Sequence, residues 1–320
     1  MKNDGIYYSV GALLYSPANR QSVAESVINE KFGKKYSLAL CLEDAVNDNF
    51  VEDAELQLSC TLKKIYESLD TRTFYLPKIF IRVRNPKQMT KLYSSFGEEK
   101  KIVAGFIVPK FSTENSTEYI ERISEINAHS SGRVFLMPIY ESSSIIDLRN
   151  RYEILYALKE KLQPVEELVL NIRVGGNDLC HNFGFRRHAD EPIYMIKPVA
   201  DILSDIVTVY GLDYVVSGPV FEYYSGDNWE NCMVQEIRGD QLCGFVGKTV
   251  IHPNQIKIVN DAYKVRKSDF DDAKSILGLN NMKDDYVLAS ATNERMNEYK
   301  THTNWARKIL FLADQFGIKE

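Results

Sequence analysis

The residues best suited to chemistry are charged side chains that each close a short apolar run. FLMPIYES, starting at Phe135, stays almost wholly apolar until it delivers Glu141, and LVLNIRVGGNDL delivers Asp178 after a similar run. Two carboxylates with no histidine or cysteine beside them favour a hard cation, and Mg2+ keeps several waters in such a setting. A cation held in this way keeps positions at which a chelating ligand can replace water. Arg82 and Arg84 close the run KIFIRVRNP, and a guanidinium can hold a carboxylate through two parallel hydrogen bonds. A second reading needs no metal: Glu141 and Asp178 pair with Arg82 and Arg84 as a structural charge cluster. Glu43 and Asp44 close SLALCLEDAV, Lys110 closes GFIVPK, Arg20 follows the first run, and His252 follows the last. Arg20 either binds an anion at the rim or caps its own loop. Lys110 is read as shaping the electrostatics of the rim in preference to forming an imine. His252 is read as a structural hydrogen-bonding residue. Arg186, Arg187 and His188 lie in CHNFGFRRHADE, read as a solvated loop in preference to an anion clamp.

The elements that position these side chains repeat a simple alternation. Eight apolar runs, from YSVGALLYSP to GKTVIHP, are separated in most cases by segments with helical spacing. In VEDAELQLSCTLKKIYESL, Ala54, Leu58, Leu62 and Ile65 share one face and charges take the other. STEYIERISEINAH opens with Ser116 as the expected N-cap and carries Glu118 in its first turn, where the helix dipole favours an acid. Continuously apolar strands between amphipathic helices imply a parallel sheet covered on both faces. Eight such units predict an α/β fold of the (β/α)8 TIM-barrel type over residues 1–260. In that fold the strand C-termini share one rim, where active sites lie. If Glu141 points inward, so do Ile139, Met137 and Phe135; if Arg82 does, so does Arg84 unless a bulge intervenes. The seventh run, DYVVSGPVF, is the weakest of the eight.

Composition narrows the function. A net charge of -5 with no basic run argues against nucleic-acid binding. No apolar stretch approaches the ~20 residues of a membrane helix, and MKNDGIYYSV is no signal peptide. Cys41, Cys60, Cys180, Cys232 and Cys243 are odd in number and lack a C-x-x-C spacing, as expected of reduced thiols in a cytoplasmic protein. VGGND lacks the spacing of a nucleotide-binding loop.

SPANR, CLEDAV, IRVRNP, GFIVPK, PIYES, GGNDL and GFVGKTVIHPNQI stand in an order that resembles the citrate lyase beta-subunit group of the HpcH/HpaI aldolase family. The resemblance implies a magnesium-dependent barrel that makes or breaks carbon–carbon bonds in 2-oxo acids, often with acyl-coenzyme A substrates. It assigns Glu141 and Asp178 to the metal and Arg82 to the oxo-acid carboxylate. Glu43 and Asp44 become the acidic pair supporting that arginine and the metal's waters. Arg20, Arg84 and Lys110 are candidates for substrate binding. Residues 261–320 form a helical extension, and in RMNEYKTH the resemblance places Glu298 as an acid offered to a neighbouring subunit of a homo-oligomer, a trimer or hexamer. Trp305, Ile309, Leu310 and Ala313 make an apolar stripe on that extension. The chain departs from the family at Ala18 (glycine), Arg84 (asparagine), Arg173 (in a segment usually apolar) and Glu298 (aspartate). The expected activity is a carbon–carbon lyase of 2-oxo or 3-hydroxy acids. The alternatives are a non-catalytic metabolite- or partner-binding barrel and a thioester hydrolase using the same metal site.

Overall fold

The computed structural model describes residues 2–279 and 287–320. Each of the eight apolar runs becomes a strand: β1 (Ala12–Pro17), β2 (Tyr36–Cys41), β3 (Lys78–Arg82), β4 (Val103–Val108), β5 (Phe135–Tyr140), β6 (Ile172–Val174), β7 (Val216–Ser217) and β8 (Lys248–Val250). They pair in parallel in the order β7-β6-β5-β4-β3-β2-β1-β8. Between the outer pair, Val246 N donates to Val216 O at 2.8 Å and Gly218 N to Gly247 O at 3.1 Å, so the sheet closes into a barrel. β7 is short because Pro219 follows Gly218 and has no N–H to extend a ladder. β2 and β5 are buried at every position, as strands with helices outside and packed side chains inside must be.

The outer layer comprises α1 (Val23–Ile28), α2 (Val51–Ser68), α3 (Pro86–Ser95), α4 (Ser116–His129), α5 (Arg151–Leu162), α6 (Gly176–Asn182), α7 (Lys197–Tyr210), α8 (Trp229–Cys243) and α9 (Asn254–Tyr263). Ala54, Leu58, Leu62 and Ile65 of α2 are fully buried, with Glu52, Asp53 and Lys63 left in solvent. α4 begins one residue earlier than expected, with Asn115 at the cap and Ser116 inside the first turn. Asn115 is engaged elsewhere: its Oδ1 accepts from Ser112 N and its Nδ2 donates to Lys110 O, which pins the turn after β4.

α9 runs to Tyr263, past the expected end of the barrel. Beyond it come β9 (Val265–Arg266), α10 (Lys267–Gly278), a hairpin of β10 (Val287–Ala289) and β11 (Met296–Glu298), then α11 (Tyr299–Phe316) and β12 (Ile318–Lys319), which pairs with β9. The apolar stripe of α11 is partly covered within its own chain, with Trp305, Ile309 and Leu310 half-buried. Trp305, Ile309 and Leu310 pack on Ala273 and Ile276 of α10, while Phe311 and Phe316 stack on Tyr8 and Tyr263. Phe316 also lies against Gly11, just before β1, so α11 is seated at the strand N-termini, opposite the rim.

A buried ion network holds the last strands to the helices. Lys248 of β8 points outward and meets Glu236 Oε1 at 3.0 Å and Asp240 Oδ2 at 2.8 Å, both from α8. Arg187 pairs with the same Glu236, and Tyr194 Oη donates to Asp240 at 2.5 Å. Arg187 is therefore a buried structural ion and not part of a solvated loop. Two cations balance two anions, so removing one strands a charge in the core. Lys248→Met is expected to cost about 3–5 kcal/mol in urea denaturation; a loss below about 1 kcal/mol would show that the network is not what secures β8 to α8.

Candidate active site

At the C-terminal ends of the strands lies a cavity of about 470 Å3, lined by Tyr15, Arg82, Glu141, Arg173, Asp178 and Thr249 among others. Glu141 is the first residue past β5 and only 3% exposed. Three backbone devices hold it. Lys110, in a left-handed conformation (φ 48°), turns its amide to donate to Glu141 Oε1 at 3.0 Å. Gly175 N donates to Tyr140 O at 3.2 Å, bringing the turn after β6 against the carboxylate. Gly175 also leaves the space that Glu141 occupies: a Cβ there would lie 1.9 Å from Oε2. Burial pushes the Glu141 carboxyl up to about 7, Arg82 opposes the shift, and the charge of Asp178 adds to it.

Arg82 ends β3 beside the end of β2, because Cys41 and Arg82 are in register and Leu42 N donates to Arg82 O. Glu43 and Asp44 follow β2 directly, so Arg82 Nη2 meets Glu43 at 2.5 Å and Asp44 at 2.8 Å, with Glu141 at 3.6 Å. Lys110 Nζ reaches Glu43 at 2.7 Å and Asp44 at 3.5 Å. Burial works against the charge of Asp44, but its contacts with Glu43, Arg82 and Lys110 outweigh that and hold it below the usual carboxylate range. The hydrogen bond to Glu43 holds the Lys110 ammonium above its ordinary value. Arg82 Nε is buried and, among the described residues, has no hydrogen-bond partner. Asp178 stands in the first turn of α6 on the cavity wall, so it and Glu141 converge from successive strand ends.

Not every candidate reaches this cavity. Arg84 lies outside it, because β3 stops at Arg82 and the alternation that would have turned both arginines inward stops with it. Its Nη1 donates to Leu42 O at 3.1 Å and Val46 O at 3.3 Å, and it pairs with Asp48, tying down the loop before α2. Arg20 is exposed and bonds Ser22 Oγ at 3.3 Å, so it secures its own loop. His252 accepts from Asn254 N and stacks on Tyr224 at 4.6 Å, a structural role. Glu298 closes β11 in the C-terminal unit, away from the cavity of its own chain. Tyr15, Arg173, Thr249 and Gly175 were not among the sequence candidates for this site; inward alternation along β1, β6 and β8 is the signal that places the first three there.

A family model described as C-C bond lyase of the TIM-barrel fold matches residues 4–318. The chain belongs to that family. Carbon–carbon lyase is accordingly the enzyme class the family carries, as expected from the motifs. Among solved structures, this C-C bond lyase resembles a citrate lyase from Burkholderia xenovorans LB400 (12% identity, TM-score 0.72, covering 97% of this chain and 93% of that one). It also resembles CitE from Mycobacterium tuberculosis in complex with magnesium, acetoacetate and coenzyme A (16%, 0.63, 96% and 99%). A third is the citrate lyase beta subunit of M. tuberculosis complexed with oxaloacetate and magnesium (16%, 0.54, 81% and 99%). At these identities the likeness is one of fold. No curated protein matches the chain.

Two carboxylates on one cavity wall suit a hard cation that keeps water in its shell. Among the described residues no group of three or more His, Cys, Asp or Glu gathers into a metal cage, so an ion here would draw on water and ligand for its remaining contacts. Gly175→Ala tests how tightly the wall is fitted. The added methyl must displace Glu141, at about 1–3 kcal/mol of stability. A crystal structure of the variant is expected to show Glu141 moved; an unmoved side chain with unchanged stability would mean the space is not needed.

Proposed function

We propose that the chain is a Mg2+-dependent carbon–carbon lyase for 2-oxo or 3-hydroxy acid units, free or as acyl-coenzyme A thioesters. The observation that carries this reading is one cavity shared by Glu141, Asp178 and Arg82, in which Arg82 Nε is a buried donor without a partner among the described residues. Glu141 and Asp178 would hold the ion, which supplies a Lewis acid for the substrate's oxo oxygen. The magnesium complexes of CitE with acetoacetate and coenzyme A, and of the citrate lyase beta subunit with oxaloacetate, support the same chemistry here.

The chain's own residues do the rest. Arg82 offers its free donor to the substrate carboxylate, while Glu43 and Asp44 fix the guanidinium plane and keep its charge partly balanced. Lys110 orients Glu141 through its backbone and Glu43 through its ammonium, so one residue sets two carboxylates. Cys41 and Ile139 add an apolar stretch to the same wall. Glu298, remote from this cavity within the chain, would serve as proton donor to a neighbouring subunit's site in a trimer or hexamer.

Glu141→Gln and Asp178→Asn are each expected to weaken Mg2+ binding, measured by titration calorimetry, by more than the roughly 10–100-fold typical of outer-shell changes. Unchanged affinity in both variants would sink the metal assignment. Arg82→Lys is expected to weaken binding of a 2-oxo acid by about 10-fold or more, since a point charge cannot reproduce the planar fork; an unchanged dissociation constant would remove Arg82 from recognition. For Glu298, mixed oligomers of Glu298→Gln and Glu141→Ala chains are expected to recover part of the activity each parent lacks. No recovery despite proven mixing would confine each site to its own chain.

A further inference from the structure

Arg173 is a buried cation without an acidic ion-pair partner among the described residues. It sits on β6, 2% exposed, and is one of the largest fully buried side chains of the protein. Among the described residues it makes no ion pair: Nη1 donates to Asn171 Oδ1 at 3.4 Å and Nη2 to Thr249 Oγ1, both neutral acceptors, and the Tyr15 phenol contacts it as well. Arg82, Lys110, Arg187 and Lys248 each have an acidic partner. Barrel interiors are filled by Val, Ile and Leu, which pack without charge. A lone guanidinium in that position costs several kcal/mol of desolvation that packing alone does not explain.

Arg173 also lines the cavity, together with Tyr15, Ser16 and Thr249. Across the β6–β7 ladder, on the same face as Arg173, the hydroxyl of Ser217 is buried without a hydrogen-bond partner among the described residues. Tyr15 links the two cationic positions of the cavity: the Arg82 guanidinium lies 5.9 Å from its ring centre, and Arg173 contacts its phenol. The wall beyond Arg82 is acidic, with Glu43, Asp44, Glu141 and Asp178, whereas the part near Arg173 carries one positive charge and neutral hydroxyls.

Building on the function proposed above, we infer that Arg173, with Tyr15 and Thr249, forms a second anion site that binds the distal carboxylate of a short 2-oxo dicarboxylate. One end of that ligand would meet Arg82 at the rim and the other Arg173 further inside. A single guanidinium with neutral hydroxyls balances one negative charge, which fits a carboxylate better than a doubly charged phosphate. The site discriminates by default: a ligand with an apolar tail leaves Arg173 buried and uncompensated, and so binds weakly.

The test compares oxaloacetate, freshly prepared, with 2-oxobutyrate, which has the same chain length but ends in a methyl group. Both are titrated into the full chain with saturating Mg2+ by calorimetry. The wild type is expected to bind oxaloacetate at least about 10-fold more tightly, and Arg173→Met is expected to abolish that preference. Equal affinities in the wild type overturn the inference, and so does a preference that survives in Arg173→Met. If the variant does not fold, the wild-type ratio decides alone. If neither 2-oxo acid binds, the metal-dependent reading fails separately, and the Arg173 site is judged by succinate against butyrate without Mg2+. Tighter binding of succinate supports it; equal or absent binding of both overturns it.

Discussion

One guanidinium at the mouth of the barrel makes the rest of the site possible. Glu43, Asp44 and Glu141 arrive there from two strand ends, and their mutual repulsion in a half-buried setting would drive protons onto them. Arg82 meets all three through Nη2 and is itself only 9% exposed, so the charges are compensated where water screens poorly. Its placement follows from the register of β2 with β3, which sets Cys41 level with Arg82 and delivers the acidic pair one step later. The strands therefore do more than enclose a core: their pairing decides which charges share a neighbourhood.

The protein handles buried charge in three ways. At the rim, acids outnumber bases, and burial leaves Glu141 with a carboxyl that ionises only near neutrality. Between β8 and α8, Lys248, Arg187, Glu236 and Asp240 form a closed and balanced set, suited to holding a strand against a helix. Inside the barrel, Arg173 has only neutral partners among the described residues, an amide and hydroxyls. A balanced network serves structure; an unbalanced one is suited to complete itself with a ligand. That contrast separates the charges that secure the fold from those poised for recognition.

The family likeness extends across nearly the whole chain although identity to the solved structures is only 12–16%. A barrel can tolerate such divergence because each strand needs only apolar side chains of suitable size, and each helix only an apolar face. The residues after the strands are freer to vary, since they sit in loops on a rigid scaffold. Arg173 is an interior strand residue, where a charge has to be accommodated by the surrounding barrel.

Much of this was legible in the sequence. Continuous apolar runs and amphipathic spacing announce the eight strands and their covering helices, because both patterns are local and repeat. The charged residues that end those runs announce the rim, and Glu141, Asp178, Arg82, Glu43 and Asp44 do line it or support it. What the sequence could not carry depends on where strands stop and which faces meet. Arg84 left the site because β3 ends two residues before it. Arg187 turned from a loop charge into a core ion only once α8 brought Glu236 to it. The apolar stripe of α11 found part of its cover in α10 and the base of its own barrel. Gly175 matters because Glu141, distant in sequence, needs the volume a side chain would take. Periodicity along a chain fixes elements; only closure of the barrel decides which side chains share a cavity, since that depends on contacts between residues far apart in sequence.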